Sequence, residues 1–383
     1  MITIENADKA LKTYYLDAVS AQLDAVSPFY AAIEKNGTEV FGKEVKVTAV
    51  RGDSSRVLAG TEDGELPAAG SNRYIQFTSA LKNIYGTIEI SDKALRAARS
   101  SEGAFVDLLN AEMEGLISSA RVNFSRMLYG DGNGYVAAIT KEEDDGSLAV
   151  TPVGRVTEGM KVDIRNSSSI MTGGENVTIA SVDYAAGTIT IAEEIEGTLA
   201  GKYIYVHGAY GNEITGFEAL FGDDDIYGID RDTESYCRPA AFTVSTLSES
   251  AIMEKINFLE EYFNSRPDMI LCSYKTKSAI AELLLGSRSN VNTTVLAGGY
   301  SAILFDGIPV VADRYCPENT IYLINTNDFV LAQLCDWSWL EDEDGKILKQ
   351  VPGKAAYSAT LVKYAELICK KPCAQGIITG FTV

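Results

Sequence analysis

The chain has 383 residues, of which 46% are hydrophobic, so it holds two or three domains around real cores and is not a disordered polymer. A formal net charge of −20, from 53 acidic against 33 basic residues, argues against a protein that grips nucleic acid by neutralising phosphates. No run of about eighteen apolar residues exists to span a membrane, and the acid-bearing start MITIENADKALKTYY is not a signal peptide.

In chain order, residues 7–35 read as a helix, with Leu11, Tyr15, Val19, Leu23 and Val26 three or four apart. Pro28 and Gly37 are expected to end it. Val40, Val45, Val47 and Val50 then mark a strand, followed by the polar stretch RGDSSRVLAGTEDGELPAAGSNR. Tyr74, Ile75, Phe77, Leu81, Ile84, Ile88 and Ile90 mark one returning strand. Such a two-stranded excursion cannot bury itself alone, so a neighbouring molecule is expected to cover it. DKALRAARS reads as a short helix opened by Ser91 and Asp92. Ser100 or Ser101 is placed to cap the next helix, residues 102–129. Its stripe of Phe105, Leu108, Leu109, Met113, Leu116, Ile117, Ala120, Phe124 and Leu128 runs about 40 Å before Gly130, Asp131 and Gly132 stop it.

Residues 141–210 open on four consecutive acids and continue as short strands separated by turns: LAVTPV, KVDIR, NVTIASVDY, TITIAE and YIYVHG. This pattern predicts a small β-barrel or sandwich inserted into a host. Residues 212–242 read as loops with apolar anchors. A helix over 248–264, the strand MILCS, a helix over 275–285 and strands near 307–311 and 320–324 make an α/β block. Residues 329–383 read mostly as strand, turning near 342–345.

Motifs with chemical meaning are weak. Residues 37–44, GTEVFGKE, approach a phosphate-binding loop, but Glu44 stands where a hydroxyl is needed and would repel phosphate. Asp131, Asn133 and Glu142 fall at positions 1, 3 and 12 of a calcium loop, but Val136 occupies the glycine position. Acid runs at 223–225 and 341–344 read as solvated loop faces. Arg51, Gly52 and Asp53 read as a turn at the tip of the excursion. Asn176 heads a glycosylation triplet that has no meaning without secretion. His207 is the single histidine and is read as a structural residue on a strand. Cys237, Cys272, Cys316, Cys335, Cys369 and Cys373 lack a disulfide framework, and Cys369 with Cys373 lacks two further zinc ligands. No catalytic, metal or cofactor-binding residue is assigned, and the chain is read as a non-enzyme.

The order of IEISDKALRAA, LLNAEMEGLISSARVNFSRMLYGDGNG, NEITGFEAL with YGIDR, DGIPVVADRYCPENTIYLIN and ELICKKPCAQGIITGF resembles the major capsid protein of tailed phages, of the Hong Kong 97 type. The resemblance covers nearly the whole chain and implies an α+β fold. It implies an N-terminal arm over 1–38, an extended β-hairpin loop over 39–90, and a peripheral domain from 91–140 with the spine helix, 211–247 and the C-terminal β hairpin 329–383. The axial domain would be 248–328, and 141–210 the inserted β domain. The implied function is a virion shell of self-associating hexamers and pentamers forming an icosahedral head around double-stranded DNA. A negative lining suits that role, because packed DNA slides along it. A separate scaffolding protein, a portal and a decoration protein would be the further partners, and assembly would occur in the bacterial host cytoplasm. Two alternatives stand beside it: an encapsulin-type compartment shell, and a carbohydrate-active enzyme with 141–210 as a binding module.

Overall fold

The computed structural model describes residues 27–51, 59, 61–62, 71–93, 102–166, 169–287, 293–296, 301–342 and 345–383, with backbone only over 102–110. The predicted helix over residues 7–26, the tip of the excursion and most of DKALRAARS lie outside them. A short helix, Pro28–Ala32, comes first. The proline begins this helix where the sequence pattern placed a stop. At the first helical position the missing N–H is not needed and the fixed φ is already suitable, and Ser27 caps the turn by accepting from the Tyr30 amide.

Strand β1 (Glu34–Asn36) follows, then β2 (Val40–Phe41), β3 (Glu44–Arg51) and β4 (Arg73–Ala80), the last three forming one small antiparallel sheet. Residues 37–44 are therefore a β2–β3 hairpin rather than a phosphate loop. Burial alternates along β3, with Val45, Val47 and Ala49 inward, as a one-sided strand requires. Those side chains and Phe77 of β4 pack into this chain's own core, where the Phe77 and Tyr227 rings meet at 5.6 Å. The Thr78 amide donates to the Tyr227 carbonyl. The expectation that a neighbour supplies the burial is thus corrected for the stem of the excursion. The predicted single returning strand is also two strands, because the chain bends at Leu81, whose amide is held by the Lys43 carbonyl. Strand β5 (Lys82–Ser91) leaves the hairpin and joins another sheet.

The helix Glu102–Leu128 crosses behind β5. Met113, Ile117, Phe124 and Leu128 share one core with Ile88, Phe329 and Leu361. The chain then enters a closed six-stranded barrel of β6 (Tyr135–Glu142), β7 (Leu148–Thr151), β8 (Lys161–Arg165), β9 (Val177–Asp183), β10 (Thr188–Ile191) and β11 (Tyr203–Val206). Closure in the order β10-β7-β6-β11-β8-β9 leaves no open edge. Val136, Ile139, Val150, Val162, Ile164, Ile179, Ile189 and Ile204 fill its interior. The barrel begins at Tyr135, six residues before the predicted boundary, because β6 runs into the acidic turn that looked like a border.

After a short helix, Phe217–Phe221, come β12 (Ala240–Thr243), β13 (Met269–Cys272), β14 (Thr293–Val295), β15 (Ser301–Phe305), β16 (Ile308–Ala312) and β17 (Ile321–Ile324). The helices Glu249–Phe263 and Tyr274–Ser287 bury Ile252, Ile256, Leu259, Ile280 and Leu284 with Ile270, Val310, Ile321 and Leu323. Finally β18 (Phe329–Trp339), β19 (Lys349–Gln350) and β20 (Ala356–Cys369) build the main sheet with β1 and β5. The last strand, β21 (Gly376–Thr379), leaves that sheet and inserts between β12 and β17. The C-terminal stretch expected to be one hairpin thus binds the two sheets together.

Candidate assembly surface and the charges that hold it

The motifs weighed in the sequence are not brought together. Asp131 accepts from the Asn133 amide at 2.9 Å, whereas Glu142 accepts from the Ala200 amide at 2.9 Å, so no calcium loop forms. Among the described residues no three His, Cys, Asp or Glu side chains converge as metal ligands. The six cysteines are free thiols, and all but Cys335 are buried. Burial raises the thiol pKa of Cys369 well above its ordinary value and that of Cys373 to about 11, which makes both poor nucleophiles. His207 lies one residue past the end of β11, in a turn, with Nδ1 2.7 Å from Asp163.

The charges that matter are ones the sequence reading passed over. Arg126, near the end of the long helix, is buried and forms a forked pair with buried Glu213, one arm at 3.0 Å. Two residues later, the Thr215 amide donates to Glu366 of β20 at 3.0 Å. Arg155 of the barrel reaches Glu218 at 3.1 Å and the Tyr315 carbonyl, and Arg314 reaches back to the Gly154 carbonyl at 3.0 Å. Lys82 of β5 grips the Gly211 carbonyl at 2.8 Å. Barrel, helix and main sheet are therefore fixed to one another at several points. Lys363 is another buried charge, paired with Asp336 at 2.6 Å and set 5.6 Å from the Trp337 ring centroid. Its burial lowers its pKa. No periodicity reveals these partners, because each pair except Lys363–Asp336 is separated by more than sixty residues of sequence.

Burial pushes the Glu366 carboxyl up to about 7, against the downward pull of its hydrogen bonds from Thr215. The folded chain therefore keeps this proton more tightly than the unfolded chain. The stability this group contributes falls as pH rises from about 4.5 to about 7 and is flat beyond, a loss on the order of 3 kcal/mol. Glu366→Gln retains the acceptor oxygen and removes the titration. Thermal melts from pH 5 to pH 8 are expected to show a smaller fall in Tm for the variant than for the parent; equal falls would refute the assignment.

On the outside, large apolar side chains stand exposed along the hairpin and main sheet: Phe41, Val50, Tyr74, Tyr85 and Leu334. Val50 and Tyr74 are cross-strand partners on the outer face of β3 and β4. Tyr262 shares with Val50 and Arg51 a cleft of about 650 Å³. The Val50–Tyr74 pair therefore puts exposed apolar area on one face of the hairpin, the kind of surface that meets other molecules.

No family model and no curated protein sequence matches the chain. Solved structures do. The chain matches one in the cyanophage A-1(L) capsid asymmetric unit at TM-score 0.55 and 13% identity, over 94% of its own length and 93% of the other's. It matches the capsid of an empty GTA particle at TM-score 0.51 and 10% identity, over 92% and 89%. The holo-SrpI encapsulin complex from Synechococcus elongatus PCC 7942 gives TM-score 0.49 and 11% identity, over 93% and 88%. At such identities the likeness is one of fold: the chain has the α+β fold of phage capsid proteins, with a closed barrel.

Proposed function

We propose that the chain is the major capsid protein of a tailed phage, of the Hong Kong 97 type, building hexamers and pentamers of an icosahedral head around double-stranded DNA. The observation that carries this reading is the full-length correspondence with the cyanophage A-1(L) capsid chain, 94% of one against 93% of the other. The exposed outer face of β3 and β4 supports it, since Val50 and Tyr74 are costly in water and free to pack on a sister copy. In this reading the helix Glu102–Leu128 is the spar of a peripheral domain, residues 248–328 form the axial domain, and the barrel is an inserted domain. Scaffolding, portal and decoration proteins are its further partners, and the host cytoplasm is the place of assembly. Catalysis forms no part of the role.

The purified chain, with and without a co-expressed scaffolding protein, is expected to sediment as large particles that negative-stain microscopy shows as closed shells. A chain that stays a small species under both conditions would refute the proposal. Deleting residues 52–72 is expected to leave a folded chain that cannot close shells. Normal particles from that deletion would refute the role given to the hairpin.

A further inference from the structure

Asp313, the residue after β16, is a buried acid that the shell reading does not use. It sits where three bodies meet. Its amide donates to the Cys272 carbonyl at the end of β13, and the Tyr315 amide donates to its Oδ1, each at 3.0 Å. Arg155 of the barrel donates to the Tyr315 carbonyl, and Arg314 donates to the Gly154 carbonyl, so the loop 313–316 also holds the barrel. On the third side stands Tyr129, just past the long helix, near enough that its hydroxyl and the Asp313 carboxyl act on each other's ionisation. Tyr129 Oη and Asp313 Oδ2 are both buried, and neither has a hydrogen-bond partner.

The surrounding charges do not compensate for this burial. Arg121 and Arg126 approach the loop from the long helix, and Arg155 with Glu218 from the barrel side. Cys272 and Tyr322 face it from the sheet, and Arg314, Tyr315 and Cys316 belong to the loop itself. Arg126 is engaged by Glu213 and Arg155 by Glu218, and among the described residues no cation forms an ion pair with Asp313. Burial pushes its carboxyl up to about 6, against the pull of the Tyr315 amide and the Tyr129 hydroxyl. Its contribution to stability is therefore present in full below about 3.8 and is lost as pH rises to about 6. The ionised form is relieved by water, which reaches Oδ2 when the loop parts from Tyr129. A spacing of four puts Arg121 and Ser125 on the helix face of Tyr129, and the unpartnered Arg121 Nε and Ser125 Oγ give entering water polar partners.

We propose that the Asp313–Tyr129 contact is a proton-set joint between the long helix, the barrel and the seven-stranded sheet. It is closed while Asp313 is neutral. When the proton passes to water, the loop 313–316 lifts from the helix end and its hold on the barrel slackens.

The test is amide hydrogen exchange in the full chain, read by mass spectrometry at residues 127–130 and 313–316 and corrected for the intrinsic effect of pH on exchange. A Glu366→Gln background removes the titration of the other raised acid. Between pH 4.5 and pH 7.5 this chain is expected to lose about tenfold or more in protection. Asp313→Asn keeps the shape and cannot ionise, so its protection is expected to change by less than about twofold. Tyr129→Phe withdraws the hydroxyl that favours the ionised form, so its fall is expected to continue to higher pH. Steady protection in the chain with Asp313 intact, or the same fall in Asp313→Asn, would overturn the proposal. Where Asp313→Asn folds poorly, Tyr129→Phe decides: a fall that ends at the same pH as with Tyr129 present would overturn it as well.

Discussion

Glu213→Ala is expected to destabilise the chain by roughly 3–5 kcal/mol. Its partner Arg126 is buried at the end of the long helix, with its guanidinium enclosed between that helix and the segment leaving the barrel. Removing the carboxylate strands a buried guanidinium with no route to water. Arg126→Ala is expected to cost a similar amount, by stranding the acid and opening a cavity. The pair itself is another matter. Two ions taken from water recover most of their desolvation cost only through each other, so Arg126→Met with Glu213→Leu is expected to lie far closer to the parent than either single alanine. Urea unfolding checks this through the midpoint at constant m-value. A Glu213→Ala loss below about 1 kcal/mol would show that the pair is not enclosed as described.

Gly216→Ala is expected to be the other severe substitution, costing roughly 3 kcal/mol or more. A Cβ at this position would lie 2.4 Å from the Met127 carbonyl oxygen, 2.6 Å from that of Leu128 and 2.7 Å from that of Gly130. All three are backbone atoms at the end of the long helix, so no side chain can swing aside. Relief requires moving either the helix end or the helix Phe217–Phe221. Phe217 lies against Phe29, Tyr129 and Tyr322 at centroid distances of 4.7 to 5.1 Å, so that displacement would spread through the aromatic core. Gly154→Ala, which meets nothing within 4 Å, is the matched control. Equal midpoints for the two variants in urea would refute the close approach.

The elements most legible in the sequence were those with one clean periodicity. The long helix shows its stripe from Met113 to Leu128, and Val45 and Val47 mark β3, although Val50, read with them, falls on the exposed face and Ala49 takes the inward place. The barrel strands were visible as short apolar runs between turns, although their closure was not. The failures share a cause, which is that a local pattern cannot report a distant partner. Leu81 carries no turn signal, yet the Lys43 carbonyl bends the chain there. Arg126 looks like a polar position on a helix, but its neighbour Glu213 lies 87 residues away. Lys363 and Glu366 look like solvent positions on β20, and both are fully buried because sheet and helix close over them. Pro28 was misread because its meaning depends on whether a helix starts or stops there.

The two ends of the barrel meet at one place: the Val206 amide donates to the Gly134 carbonyl at 2.9 Å, and the Glu213 amide to the Gly132 carbonyl at 3.1 Å. A segment whose entry and exit touch behaves as a cassette, because its removal leaves a gap that a few residues can bridge. The Arg126–Glu213 fork and the Glu366–Thr215 bond lie on the host side of that neck and would survive the excision. The bonds that tie the long helix to the main sheet are thus made without any of the six strands.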